Sequence, residues 1–235
     1  MEGSSLVPVL VGGAISLVSS VVILSLGLLI ESKRKGRAAK SEAALQAFVG
    51  LNKLMMTINS IENIAKHIDR EFEGATKGGV TLEPASILRP LIGAMNEIDL
   101  VTPHEMLFLA TGDGELPAAI QEIQHRARNL NVIIAEYNLL RREHDDFLER
   151  NAKIGDLDGT NVGYTLSGKA RKISKIKIGR LNVLVAGIIE MVEEDRKTVF
   201  DVTNEYLAKA REHFGNDFPA KALEIRASGK RSLAL

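Results

Sequence analysis

Glu122 and His125 form a Glu-x-x-His pair, a pattern that supplies metal ligands in di-iron carboxylate helical bundles. Such a site needs two of these pairs and two further Glu residues facing inward, and the chain offers no second pair. Ile123 lies on an apolar helix face between the two side chains, so both should flank the packed core. The sequence therefore predicts that Glu122 and His125 are surface residues and that no metal is bound.

The segment 156–161 resembles part of a calcium-binding loop, because two Asp residues precede a Gly and an Asn. An EF-hand loop requires a bidentate Glu at its twelfth position, where Ser167 stands. We interpret the segment as a glycine turn whose Asp side chains bind the local backbone. The chain also lacks Cys, a phosphate-binding Gly-rich loop followed by Lys-Ser or Lys-Thr, and a Gly-x-Ser-x-Gly motif. These patterns favour a protein that is not an enzyme and needs no cofactor.

A dense group of cations follows this segment, with no acidic residue between Asp158 and Glu190. We expect it to lie on anionic lipid headgroups. The alternatives are a solvated helix face and a nucleic-acid contact. Nucleic acid is disfavoured because no aromatic, Asn or Gln reader is interleaved and the formal net charge of the chain is zero. The cations are Lys169, Arg171, Lys172, Lys175, Lys177 and Arg180.

Residues 6–30 carry no charge and would span roughly 37 Å as a helix, enough to cross a bilayer. A buried soluble helix of this length would show polar positions on one face. A cleaved signal peptide would begin with Lys or Arg, have a shorter apolar run and end at a small-residue cleavage site. The sequence therefore predicts a permanent transmembrane helix.

Cations directly after the predicted span set its orientation, because positive residues stay on the cytoplasmic side. We therefore expect the N-terminus outside the cell (inner) membrane and the rest of the chain in the cytoplasm. The same cations should contact anionic headgroups. They are Lys33, Arg34, Lys35, Arg37 and Lys40.

Gly12, Ser16 and Ser20 recur at every fourth residue and place small side chains on one face of the predicted span. Such a row lets two helices approach closely, so we expect it to support a homo-oligomer. The alternative is that this face contacts lipid.

Three long segments, 38–72, 115–150 and 170–214, repeat apolar residues at helical spacing. Ile173 and Ile176 belong to the apolar pattern of the third segment. Each of these segments should form a long helix with one packed face.

Shorter elements are expected between and after the long helices. Residues 84–111 should form two short helices, and Thr102-Pro103-His104-Glu105 is a capping box that predicts a helix over 103–110. Residues 151–169 are polar and Gly-rich and are expected to be a loop. A last short helix is expected over 218–227.

The predicted fold class is all-α, with a single transmembrane helix followed by an elongated antiparallel bundle of three long helices plus short helices. The first long helix would leave the membrane, the second return and the third leave again, which would place the loop and the basic group near the bilayer. The predicted divisions are an extracytoplasmic N-terminus over 1–5, the span over 6–30, a basic juxtamembrane segment over 31–40, the cytoplasmic bundle over 41–227 and a flexible tail over 228–235.

This organisation predicts a non-enzymatic tether, scaffold or assembly factor that works through helix–helix contacts. Its partners would be the bilayer, a second copy of the chain or an unidentified protein, because the third helix outruns the second by about 12 Å and leaves apolar surface uncovered. The alternative is a membrane-bound signal relay whose span transmits a change to the bundle.

Overall fold

The computed structural model describes residues 6–77, 83–91, 97–110, 112, 114–158 and 161–220. Within these ranges the backbone alone is described at residues 6–30, 32, 76–77, 154–158 and 161–164. The predicted extracytoplasmic segment and C-terminal tail lie outside the described residues.

Three long helices, α1 (Leu6–Lys77), α3 (Glu115–Asn151) and α4 (Gly168–Phe214), contain 72, 37 and 47 residues. A four-residue helix, α2 (Pro84–Ile87), lies between the first two. The predicted architecture of three long packed helices plus short helices is confirmed. We call the end of the bundle that holds residues 40–47 the proximal end, and the end where α3 passes into α4 the distal end.

α4 runs antiparallel to α1 and to α3. The Tyr206 hydroxyl lies 2.8 Å from the Ala47 carbonyl, and Arg196, earlier in α4, binds Glu62, later in α1. Because α3 also runs against α4, α1 and α3 are parallel to each other. The predicted path, in which successive long helices alternate in direction, is therefore wrong.

The described parts of the segment 83–110 explain this path, because they lie along the bundle from its distal towards its proximal end. Near its start the Tyr137 hydroxyl donates to the Leu88 carbonyl, and near its end the Val101 amide donates to the Gln124 side chain over 2.8 Å. The segment thus returns the chain from the distal to the proximal end before α3 begins. The segment does not cap the distal end, because its backbone groups find partners along the side of α3.

The connection between α3 and α4 is a β-hairpin, so the prediction of a loop over 151–169 is wrong. Strand β1 (Ala152–Asp158) pairs antiparallel with β2 (Asn161–Leu166), from Ala152 opposite Leu166 to Asp158 opposite Asn161. The glycines suggested a loop, but β-branched and aromatic residues such as Ile154 and Tyr164 favour a paired strand. The side chains of the suspected calcium segment lie outside the described residues.

The predicted capping box is confirmed at Thr102 and Glu105. The Thr102 amide donates to Glu105 Oε2 over 2.8 Å, and the Glu105 amide donates to Thr102 Oγ1 over 3.3 Å. A turn and a 3-10 helix, Leu107–Leu109, follow it, so the helix expected over 103–110 is wrong in type. In an α-helix the Glu105 carbonyl would accept from the Leu109 amide. Here it accepts from the Tyr206 hydroxyl, and the Leu109 amide donates to the Met106 carbonyl, three residues back.

Gly215 ends α4 with a φ of 57°, a conformation that favours glycine, and a 3-10 turn, Gly215–Asp217, follows. Residues 218–220 are not helical, and the rest of the predicted last helix lies outside the described residues. Phe218 is fully buried and packs edge-on against Phe48 of α1. The chain after α4 therefore closes the proximal core.

The bundle core forms two clusters. The proximal cluster includes Leu51, Leu54 and Tyr206, and the distal cluster includes Ile64 and Tyr137. Most predicted apolar faces are buried here. Ile173 and Ile176 are exceptions, since 37% and 60% of their surface is exposed. At the start of α4 the buried face is formed by Ala170 and Ser174, so Ile173 and Ile176 lie on other sides of the helix.

Candidate interaction surfaces

The side chains of the predicted span, residues 6–30, lie outside the described residues. These include the small residues Gly12, Ser16 and Ser20. Their backbone belongs to α1. In the part of the chain whose side chains the structure describes, no helix is both long enough and apolar enough to span a bilayer. The span and its small-residue face stay predictions.

The juxtamembrane cations project from an exposed part of α1. Lys35 pairs with Glu31 over 2.9 Å, one turn away on the same helix. Lys40 lies 3.3 Å from Asp217 and so links α1 to the turn after α4. Solvent-exposed pairs of this kind contribute at most about 1 kcal/mol each. Lys33, Arg34 and Arg37 are exposed as well, which leaves their charges available to a headgroup or a partner.

The basic group of α4 lies at the distal end. Ser167 caps the helix there, accepting from the Ala170 amide, and Lys177 lies 3.8 Å from Glu143 of α3. The remaining cations, Lys169, Arg171, Lys172, Lys175 and Arg180, are exposed and have no carboxylate partner among the described residues. These cations form a basic surface whose charges are not paired with carboxylates of the described residues.

The two basic groups are far apart. At 1.5 Å per residue along α4 and α1, the distal group lies roughly 60 Å from Lys40. The potential of a charged bilayer decays over about 8 Å at physiological ionic strength. An upright bundle anchored through residues 6–30 therefore cannot bring the distal group to its own bilayer. Because α1 and α3 are parallel, the start of α4 lies at the end of the bundle away from Lys40.

A His–Ser pair lies buried beside the basic group. His144 Nε2 is 3.0 Å from Ser174 Oγ, and the two residues are 4% and 5% exposed. Burial lowers the pKa of His144 below its ordinary value, and Arg141 and Lys177 lower it further while Asp145 opposes them. The imidazole is therefore neutral at pH 7.

This pair does not form a catalytic triad. Asp145 Oδ1 lies 4.0 Å from His144 Nδ1, beyond hydrogen-bond distance, and instead accepts from the Arg141 guanidinium at 3.2 Å. Ser174 is also too buried to meet a substrate carbonyl. The contact is a buried hydrogen bond that joins α3 to α4. Sequence spacing could not predict it, because its partners are 30 residues apart.

Ion pairs between the helices hold the other helix contacts. Arg196 binds both carboxylate oxygens of Glu62 across α4 and α1, and Arg126 of α3 binds Glu194 and Asp195 of α4. Asp195 is 1% exposed, and burial raises the pKa of its carboxyl, with Arg126 opposing that rise. These ion pairs fix how α1 and α3 are aligned along α4.

The predicted surface positions of Glu122 and His125 are confirmed, since both side chains are exposed. Across the described residues, no group of three or more His, Asp or Glu side chains is arranged to hold a metal. Phe108, Leu116 and His213 line a groove of about 550 Å³ at the proximal end. Glu205, Lys209 and Glu212 of α4 also line this groove.

Comparison with known proteins found no relative. No family model, curated protein or solved structure matches the chain.

Proposed function

We propose that this chain is a single-pass protein of the cell (inner) membrane, with its bundle in the cytoplasm, and that it acts as a non-enzymatic tether, scaffold or assembly factor. One observation carries the proposal. α1 is a single helix from Leu6 to Lys77, and its later part supplies core residues from Ala44 to Phe72. The uncharged residues 6–30 are thus joined to the bundle without an intervening loop.

This continuity favours a rigid mechanical link. A bundle attached through a helix transmits position and force to its surroundings, whereas a flexible linker would not. The exposed cations after residue 30 are suited to anionic headgroups, each contributing about 1 kcal/mol near the surface. The bundle itself presents charged and apolar outer faces to partners.

Membrane extraction tests the anchor. The full chain should remain in membranes washed with alkaline carbonate, and a variant carrying Leu17→Arg and Val22→Arg should be released. Each Arg near the centre of a span costs about 2.5–3.5 kcal/mol on the insertion scale. The matched control carries Val132→Arg and Leu139→Arg, two exposed apolar positions on α3, and should stay in the membrane. Release of the unaltered chain by carbonate would overturn the proposal.

Orientation is tested separately in intact cells. A protease added outside should leave a C-terminal tag uncut until the membrane is permeabilised. Cleavage before permeabilisation would place the bundle outside and contradict the cytoplasmic assignment.

The unbroken α1 also favours a second candidate, a signal relay. A helix that enters the core can pass a rotation of the span to the bundle. A relay predicts that crosslinking two spans through a Ser16→Cys variant changes hydrogen exchange in α1 over residues 44–72, whereas a passive tether leaves those rates unchanged.

A further inference from the structure

The face of α4 that points away from the bundle is a continuous line of residues, which we call the outer seam. Its members follow one another at spacings of three or four, averaging the helical repeat, so they stay on one side along about 54 Å. They lie opposite the buried residues Leu181, Val185 and Ile188. The outer seam consists of Lys169, Lys172, Ile176, Arg180, Val183, Gly187, Glu190, Glu194, Thr198, Asp201 and Glu205.

Charge is segregated along the outer seam. The half before Gly187 carries three cations, and the half after it carries four carboxylates. The cations are Lys169, Lys172 and Arg180, and the carboxylates are Glu190, Glu194, Asp201 and Glu205. A parallel second copy would place like charges together, whereas an antiparallel copy would place each half opposite its complement.

The residue spacing is also complementary when the helix is reversed about Gly187. Lys169 then faces Glu205, and Lys172 comes within one residue, about 1.5 Å along the axis, of the level of Asp201. Arg180 in the same way faces Glu194, which Arg126 already holds at 2.6 Å. A two-fold axis requires this kind of self-complementarity, in which each contact occurs twice.

Apolar side chains lie near the centre of the outer seam. Val183 is 73% exposed, more than the other large apolar residues exposed in the described parts of the chain, and Ile176 is 60% exposed. A Cβ built on Gly187 meets nothing within 4 Å, so a neighbouring helix can approach closely there. Thr198 and the alkyl stem of Glu190 would cover the two apolar residues from the facing copy.

We propose that the outer seam is a two-fold antiparallel interface between two copies of this chain, centred on Gly187. The interface is distinct from the predicted contact within the span, which joins parallel helices. Its charge pairs select the antiparallel register, and its central residues provide the apolar contact.

The interface also sets the distance between the two membrane anchors of the proposed tether. Only this part of the inference rests on the proposed function. Gly187 is level with a point on α1 roughly 52 Å beyond residue 31, so the two-fold axis places the two anchors roughly 105 Å apart, at opposite ends of the pair. The antiparallel pair therefore joins two facing bilayers.

Disulfide crosslinking of the full chain in detergent tests the two-fold axis. The native chain contains no Cys, so Gly187→Cys can pair with itself alone. It should form a disulfide dimer under mild oxidation. Val183→Cys should not, because its two copies would lie about 12 Å apart along the axis, beyond the reach of a disulfide. Val132→Cys, 68% exposed on α3, is the control for random collision. Equal crosslinking at Gly187 and Val132 would overturn the interface.

Charge reversal tests the register independently. Lys172→Glu breaks two contacts per dimer and should raise the dissociation constant, measured by sedimentation, at least about tenfold. Adding Asp201→Lys should bring it back to within about threefold of the unaltered chain. Arg171→Glu, an exposed cation off the outer seam, should have little effect. Failure of the double variant to dimerise would refute the antiparallel pairing.

Vesicles of anionic lipid that carry the full chain separate the interface from the tether. Clustering that Lys172→Glu abolishes and the double variant restores supports both. Crosslinking at Gly187 without clustering would retain the interface and reject its role between bilayers.

Discussion

Gly50 of α1 is required by a close approach to α4, and replacing it gives a sharp test of the fold. A Cβ at this position would overlap the Tyr206 hydroxyl oxygen and lie 3.2 Å from the Glu105 Cβ. Tyr206 cannot move aside freely, because it is fully buried and its hydroxyl contacts the Ala47 and Glu105 carbonyls at 2.8 and 2.9 Å. Gly50→Ala must therefore displace the ring and weaken those bonds.

The magnitude follows from opposing terms. Overpacking costs about 1–3 kcal/mol, and a weakened buried hydrogen bond costs about 1 kcal/mol more. Alanine gains about 0.5–1 kcal/mol over glycine inside a helix. We expect a net loss of about 1.5–3 kcal/mol in the free energy of unfolding. For a chain of this size, that lowers the melting temperature by roughly 3–12 °C.

Urea unfolding of the full chain in detergent, followed by circular dichroism, measures this loss. Gly179→Ala is the matched control, because a Cβ there meets nothing within 4 Å and should stabilise α4. Tyr206→Phe removes the nearest atom, so Gly50→Ala should cost less in that background. Equal stabilisation by both alanines would show that α1 and α4 do not approach each other at Gly50, and would refute the packing of the proximal core.

Three further predictions concern the same bundle. Burial lowers the pKa of His144 below its ordinary value of 6.5, so the unfolded chain binds more protons and stability should fall as the pH drops below about 6.5. Melting curves at pH 7.5 and 5.5 should show this loss, and it should shrink in His144→Gln; an unchanged loss would contradict the assignment. Glu62→Ala removes the two hydrogen bonds that Arg196 donates to Glu62 across α4 and α1, and should cost about 2–4 kcal/mol in urea unfolding, whereas Lys35→Ala, at an exposed pair, should cost under about 0.5 kcal/mol. Phe218→Ala should cost about 3–5 kcal/mol by opening the proximal core, and Val132→Ala should be near neutral; similar values for the two would place Phe218 outside the core.

The long helices were predictable because apolar spacing is a local property. Each of α3 and α4 follows its predicted segment within a few residues, and the capping box at Thr102 formed as its four residues indicate. The hairpin between them was missed, because β-pairing depends on a partner strand and the glycines suggested a loop. Ile176 was assigned to a packed face, but the spacing within one helix cannot say which of its sides meets a neighbour.

The sequence by itself determined the three long helical segments, the ends of α3 and α4 within a few residues, and the apolar stretch over residues 6–30. The tertiary structure alone decided the order in which the helices pack. Residues 83–110 return along α3 because their backbone groups find partners on Gln124 and Tyr137, and this makes α1 and α3 parallel. That direction moved the basic group of α4 to the distal end, since contacts between residues far apart in the chain, unlike helical spacing, are not encoded in any local pattern.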